Sequence, residues 1–380
     1  MRNFILLMSL ILNMLLFGCR NKVSTSDSLV VNNIDASVDK SSVFQYSEYV
    51  DTSDLTFCFL ETRDDILIGE LIQFYIFNNY YVISTKRKVF IFDFNGKYIA
   101  SIYHLGKGKG EYLALTDVYV DKNDFIYILD QKLKEILKYN FKGEFITSYN
   151  VGVVGKRFNK LNEDIWAIYT GSITVDSNYR LNYFSEKKNK IVRQFQYIHE
   201  NERSWMHFSE TGNFFEYGDK TFFYTVCNDT IYEINEEGIR PDLKLNHGKN
   251  SLPSYIRNGQ YKDVREFLSK IEGKDYVSRL FNFTYNETTA SFGILLNSSV
   301  NHVLVNHKSN KTICIKAFKN GTVDVNKNPY FLLPEIEHKG YFYKILYIDE
   351  LSNIGIFHGD DKRLLNVNRN PVIVRFKFKL

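Results

Sequence analysis

At 380 residues, the chain is long enough for one large β domain or two average ones, and it carries 48 basic against 44 acidic side chains, a net +4. That near-balance, with no basic run along the sequence, excludes a phosphate-tracking nucleic-acid surface. Aromatic residues make up 16%, with 27 Tyr and 31 Phe against only 5 Pro, a bias that favours strands.

The first element in chain order is an export signal. Arg2 supplies the positive start, "FILLMSLILNMLLFG" the apolar core, and Gly18 the small residue before Cys19. As a helix, that 15-residue core reaches about 22 Å, short of the ~30 Å of a bilayer's hydrocarbon, which makes a permanent spanning helix the poorer reading. The segment "LLFGC" resembles the lipobox of bacterial lipoproteins, with Leu16, Phe17, Gly18 and Cys19 in its four places. The resemblance implies cleavage before Cys19 and acylation of that cysteine, and several acyl chains on one residue exceed what stable anchoring requires. An ordinary secretory peptide with an accidental cysteine is the alternative. Residues 1–18 are thus expected to be a lipoprotein signal peptide and 51–380 the folded part. Residues 19–50 are expected to be a tether, polar and without amphipathic period. "RNKVST" after Cys19 lacks the acidic cluster associated with surface export, which points to the periplasmic side of an outer membrane.

Beyond the tether the chain repeats itself. Residues 80–102 and 127–149 align without a gap at an offset of 47, pairing Tyr80 with Tyr127, Phe94 with Phe141, Gly96 with Gly143, Ile99 with Ile146 and Ser101 with Ser148. A third copy, "IYEINEEG" at 231–238, lies 142 beyond "VFIFDFNG" at 89–96, about three such offsets, so a further unit is expected with its turn near 190. Fixed periods of about 40–50 residues with turn punctuation indicate propeller blades. The second unit divides into four alternating strands, "TDVYVD", "FIYILD", "EILKYN" and "EFITSY". Such a sheet buries both faces only by stacking on neighbours around an axis.

The count reaches six. A fifth unit holds "RLFNFTYN", "SFGILLN", "NHVLVNHK" and "KTICIKAF"; a sixth holds "YKILYIDE", "NIGIFHGD" and "PVIVRFKFKL". The strand missing from the last is expected from "LTFCFLE", 55–61, so that both chain ends close the ring and leave no open edge. The expected fold class is all-β: a six-bladed β-propeller of four-stranded antiparallel blades with a helical insertion near 255–275. "LETRDDILIGELIQFYIFNNYYVIS", "VFIFDFNGKYIASIYHLGKGKGEY" and "NPVIVRFKFKL" together resemble the six-bladed β-propeller lipoproteins of Gram-negative gut bacteria, with NHL/TolB-like repeats. Lys109 stands where that family usually has Pro. The resemblance implies an envelope-anchored propeller and no settled chemistry.

Motifs for catalysis are missing: no GxSxG, HExxH, Walker loop or GxGxxG after a strand occurs. His302 and His307, five apart on one strand, face opposite ways and cannot share a metal. Asp117, Asp121 and Asp124 in "DVYVDKND", and the "HGDD" at 358–361, are expected to serve as turn formers. No cofactor is expected, a divalent cation in the channel being the one alternative these carboxylates leave open. Cys58, Cys227 and Cys314 sit in apolar runs and are expected as free thiols.

The long connections leaving the outermost strands, 104–112, 199–208, 247–278 and 318–340, emerge on one face, a usual place for binding. The third carries Tyr261, Val264, Phe267, Leu268 and Ile271 at helical spacing. Lys107, Lys109, Glu111, Tyr112, Trp205 and His207 are expected to gather at one channel mouth and bind a polar, ring-bearing ligand. The plainer readings are that the glycines only turn the chain, Trp205 caps an apolar gap, and the helix packs on the rim. The expected function is a non-catalytic binding or scaffolding propeller for a glycan, a peptide or an envelope protein. The rival is a propeller hydrolase or lyase using channel-mouth carboxylates or a divalent metal.

Overall fold

The computed structural model describes residues 32–37, 49–208, 213–296, 299–316, 333–353 and 370–380; residues 1–18, expected from the sequence to be an export signal, lie outside them. Six antiparallel sheets follow one another around a ring. Blade one comprises Leu71–Phe77, Tyr80–Thr85, Val89–Asp93 and Tyr98–Ile102, and blade two Asp117–Val120, Ile126–Asp130, Glu135–Tyr139 and Phe145–Asn150. Blade three comprises Arg157–Lys160, Ile165–Tyr169, Tyr179–Ser185 and Lys190–Tyr197, which places the expected polar turn at 186–189. Blade four begins at Phe214–Tyr217 and ends at Gly238–Asn246, and blade five runs from Val277–Tyr285 to Lys311–Lys316.

The ring closes as the sequence predicts. In blade six, Val372–Phe376 pairs on one side with Tyr341–Leu346 and on the other with Thr56–Phe59, so one sheet holds both ends of the fold. One strand assignment needs correction. "NIGIFHGD" lies almost wholly outside the described residues, and Tyr341–Leu346 pairs directly with Val372–Phe376, leaving no place for a strand between them. The innermost strand is instead Ile336–His338, within the stretch read from sequence as a connection. Three residues are too short for alternation to reveal a strand.

A second correction concerns the tether. Asn32–Asp35 is not free spacer: it adds a fifth, parallel strand to the outer edge of blade four, Asn32 opposite Leu243 and Asp35 opposite Asn246. Ile34 and Ala36 bury in the cluster between blades four and five, and Thr312 Oγ1 of blade five donates to Asp35 O at 2.7 Å. Two apolar residues within a polar stretch give no periodic signal.

The core is divided into wedges, one between each pair of neighbouring blades. Val82, Ile91, Ile126 and Tyr139 join blades one and two, and Leu129, Trp166 and Phe184 join two and three. Tyr169, Tyr183 and Phe223 join three and four; Ile231, Phe283 and Phe292 join four and five. Leu304, Phe342 and Val374 join five and six, and Ile83, Phe90 and Ile373 bring six back to one. This is why both faces of a middle strand such as Ile126–Asp130 are buried throughout.

The repeated residues mark a repeated turn. Asp93 Oδ1 accepts the amides of Asn95 and Lys97, and its counterpart Asn140 Oδ1 accepts those of Lys142 and Glu144. Such a side chain replaces backbone partners through the reversal. Gly96 and Gly143 follow at φ +80° and +79°, and a Cβ on Gly96 would stand 2.2 Å from Phe59 O, so the first position also tolerates no side chain. The helical insertion forms at Ser254–Arg257 and Val264–Ile271, the latter capped by Asp263 Oδ1 accepting from Glu266 N at 2.9 Å. Cys58, Cys227 and Cys314 form no disulfide; Cys227 and Cys314 are buried, and burial pushes the half-buried Cys58 thiol up to about 11.

Candidate binding site in the central channel

The six residues expected at one channel mouth do not come together there, and none lines the channel. Tyr112 is fully buried in the wedge between blades one and two, its hydroxyl donating to Arg87 O and Ile102 O. Trp205 is fully buried beneath the helical insertion, stacked on Phe267 at 4.1 Å. Neither ring face is open to a ligand, so the aromatic platform is withdrawn. His207 is exposed and hydrogen-bonds Arg203 O. Lys107 and Lys109 are exposed on their loop, while Glu111 folds back so that Oε2 accepts from Gly108 N at 2.7 Å. The Gly-rich loop thus fills its own amide with its own carboxylate. The plainer readings hold for Trp205, for this loop and for the helix.

The structure places a larger opening on the axis, an open cavity of about 660 Å³ walled by the innermost strand of every blade. An innermost strand sends alternate side chains into the wedges on either side. In blade four Phe214 packs toward blade three and Phe215 toward blade five, so Glu216, of the same parity as Phe214, turns toward blade three. There Asn159 Nδ2 donates to Glu216 Oε1 at 3.3 Å. The carboxylate is open to the channel yet ringed by protein, and this desolvation pushes its pKa up, against the opposing pull of Asn159.

A second carboxylate ties three blades together. Asp117 of blade two is 2% exposed; Tyr75 of blade one donates to its Oδ1, and Phe158 N of blade three donates to its Oδ2 at 3.0 Å. Val118 N adds a third bond at 3.0 Å. Burial pushes the Asp117 carboxyl up, opposed chiefly by the nearby Arg157 guanidinium, and burial with the Asp117 charge holds the Tyr75 hydroxyl well above its usual value. Farther round, burial raises Glu337, whose Oε1 accepts Gly340 N, and lowers the His338 imidazole beside Lys339.

Of the other carboxylates of "DVYVDKND", Asp121 acts as expected, its Oδ1 accepting the amides of Asn123 and Phe125, whereas Asp124, at φ +61° in the same turn, accepts instead from Asn78 Nδ2 of blade one. Asp117 departs from them by facing the channel. The "HGDD" lies outside the described residues. No group of three or more His, Cys, Asp or Glu among the described residues is arranged to hold a metal ion. His302 is buried with Ser291 Oγ at 2.7 Å, desolvation holding its imidazole down at about 3, while His307 stacks on Tyr285.

Gln73, Asn159 and Glu216 are among the channel residues that the sequence patterns leave unmarked. Their signal was a polar residue breaking the apolar alternation in the first strand of its unit, in "LIQF", "RFNK" and "FFEY".

Fold and channel together define a six-bladed β-propeller with an accessible axial cavity. The chain belongs to the family described as a domain of unknown function, DUF4934, whose pattern matches residues 29–377. It is similar in structure to a Bacteroides fragilis protein provisionally described as exported, at TM-score 0.71 and 17% identity, over 92% of this chain and 100% of that one. It is also similar to a DUF4221 family member from Bacteroides vulgatus, at TM-score 0.51 and 11% identity, over 87% and 99% of the two chains. At these identities the likeness is one of fold. No curated protein matches the sequence. No helix among the described residues is long and apolar enough to cross a membrane.

Proposed function

We propose that this protein is an envelope-anchored binding propeller, held by lipid on Cys19, whose axial channel receives a small ligand. The observation that carries the reading is the channel itself. Its volume falls within the range of small-ligand sites, and its aromatic wall is interrupted by a few convergent polar groups. Binding ranks above catalysis because the hydrogen-bonded acid–base pair in the wall, Tyr75 with Asp117, is engaged in joining blades. The provisional export of the Bacteroides fragilis neighbour supports an envelope location, and the sequence after Cys19 favours the periplasmic side of the outer membrane.

Two experiments test the two halves. Radiolabelled palmitate is expected to enter the protein in cells and to be lost on Cys19→Ala; continued labelling of that variant sinks the anchor. For the channel, Ile72 lines the opening and is 36% exposed, so Ile72→Trp adds bulk there with little disturbance of packing. Small molecules from envelope extract that raise the melting temperature of the wild type are expected to lose that effect on Ile72→Trp. Full retention by a variant that melts like the wild type would move the site elsewhere.

A further inference from the structure

The groups left without partners in the channel define the chemistry of its occupant, an inference that rests on the reading of the channel as the binding site. Glu216 has no cationic partner among the described residues; its one hydrogen bond is the long one from Asn159. Glu335, by contrast, is matched with Lys344, and Glu233, outside the channel, with both Lys220 and Arg240. Asn159 is 7% exposed, its Nδ2 is spent on Glu216, and its Oδ1 is buried with no donor. Gln73 Oε1, also on the channel wall, is buried and undonated as well.

The Glu216 carboxylate, Asn159 Oδ1 and Gln73 Oε1 are all acceptors, while His338 Nε2, also unpartnered in the wall, donates or accepts according to its tautomer. A buried acceptor without a donor costs about 1–3 kcal/mol, so the site is complementary to a molecule that brings N–H groups. Charge points the same way, since four carboxylates line the channel against two cationic side chains, Arg157 and Lys339. Arg157 already stands beside Asp117. Aromatic walls add to the preference, because ring faces attract cations, most strongly where water is displaced. Tyr119 lies close enough to Glu216 for the carboxylate's charge to raise its hydroxyl, after desolvation.

We propose that the channel binds a small organic cation bearing N–H donors, its ammonium or guanidinium head on Glu216 and Asn159 and its body along the aromatic wall. Desolvation that raises the free carboxyl is relieved when the cation arrives, so the pairing is made in a site already short of water.

The test uses purified protein and calorimetric titration with four probes: tyramine, agmatine, tyrosol as the neutral counterpart of tyramine, and choline as a cation without N–H donors. Tyramine or agmatine is expected to bind with Kd below about 1 mM, with tyrosol and choline at least about tenfold weaker. Glu216→Gln, close to isosteric and open to the channel, is expected to melt like the wild type and to lose at least about tenfold for the binding cation. Glu233→Gln, whose carboxylate lies outside the channel lining and is matched by Lys220 and Arg240, is expected to leave that affinity unchanged. Equal binding of tyramine and tyrosol, or affinity that survives Glu216→Gln, overturns the cation while leaving channel binding intact if Ile72→Trp still abolishes it. Failure of both N–H cations to bind overturns the proposal outright. Loss of every ligand's dependence on Ile72 overturns the channel reading beneath it.

Discussion

A chain ending at Pro371 is expected to be insoluble or rapidly proteolysed. The nine residues removed include Val372–Phe376, which lies between two partners in the closing blade, so its loss unpairs Thr56–Phe59 and Tyr341–Leu346 together. Val372, Ile373, Val374 and Phe376 are each at most 1% exposed. At about 1.5–3 kcal/mol per side chain, their burial contributes roughly 6–12 kcal/mol, comparable to the whole stability of an ordinary fold at about 5–15 kcal/mol. The wedges on both sides of blade six also draw on this strand, through Val374 toward blade five and Ile373 toward blade one. Limited proteolysis and a thermal melt check the outcome. A soluble truncation that melts cooperatively near the full-length temperature would mean the ring closes by other residues.

Trp205→Ala is expected to cost about 3–5 kcal/mol, the usual range for emptying a buried aromatic site. The indole is packed on all sides: Phe267 stacks on it, Tyr261 meets it edge-on at 5.5 Å, and Phe208 does so at 6.3 Å. The damage should concentrate in the insertion, where Ile256, Phe267 and Ile271 share the same cluster, and tyramine binding in the channel should persist. Denaturant unfolding and hydrogen exchange over 254–271 measure both. An unchanged stability would return Trp205 to the surface role the sequence suggested.

The contrast between these residues shows what the sequence makes legible. Blade number, closure and most strand positions follow from period and alternation, because every blade solves the same burial problem, blades one and two with the same turn. Asp93 and Asn140, or Gly96 and Gly143, recur where the backbone needs them. Trp205 and Tyr112 misled because charged and glycine-rich neighbours suggest exposure, while their own burial is decided by residues distant in sequence, Phe267 for one and Tyr139 for the other. The channel wall was harder still. Glu216 and Asn159 become a pair only when blades three and four close on the axis, and no offset along the chain records that meeting. Asp117 looked like one more turn residue, and only its placement beside Tyr75 and Phe158 separates it from Asp121.

The strand at Asn32–Asp35 sets a load path. Tension entering from the N-terminal side meets its parallel ladder on blade four before it reaches Thr56–Phe59, the strand that fastens the ring. Pulled along its own axis, that ladder is loaded in shear, with several hydrogen bonds sharing the force. Asp35 O and Ala36 add attachments to blade five and to Asn246 O at the end of the ladder. A pull on the chain N-terminal to Asn32 therefore loads blade four before the strand that closes the ring.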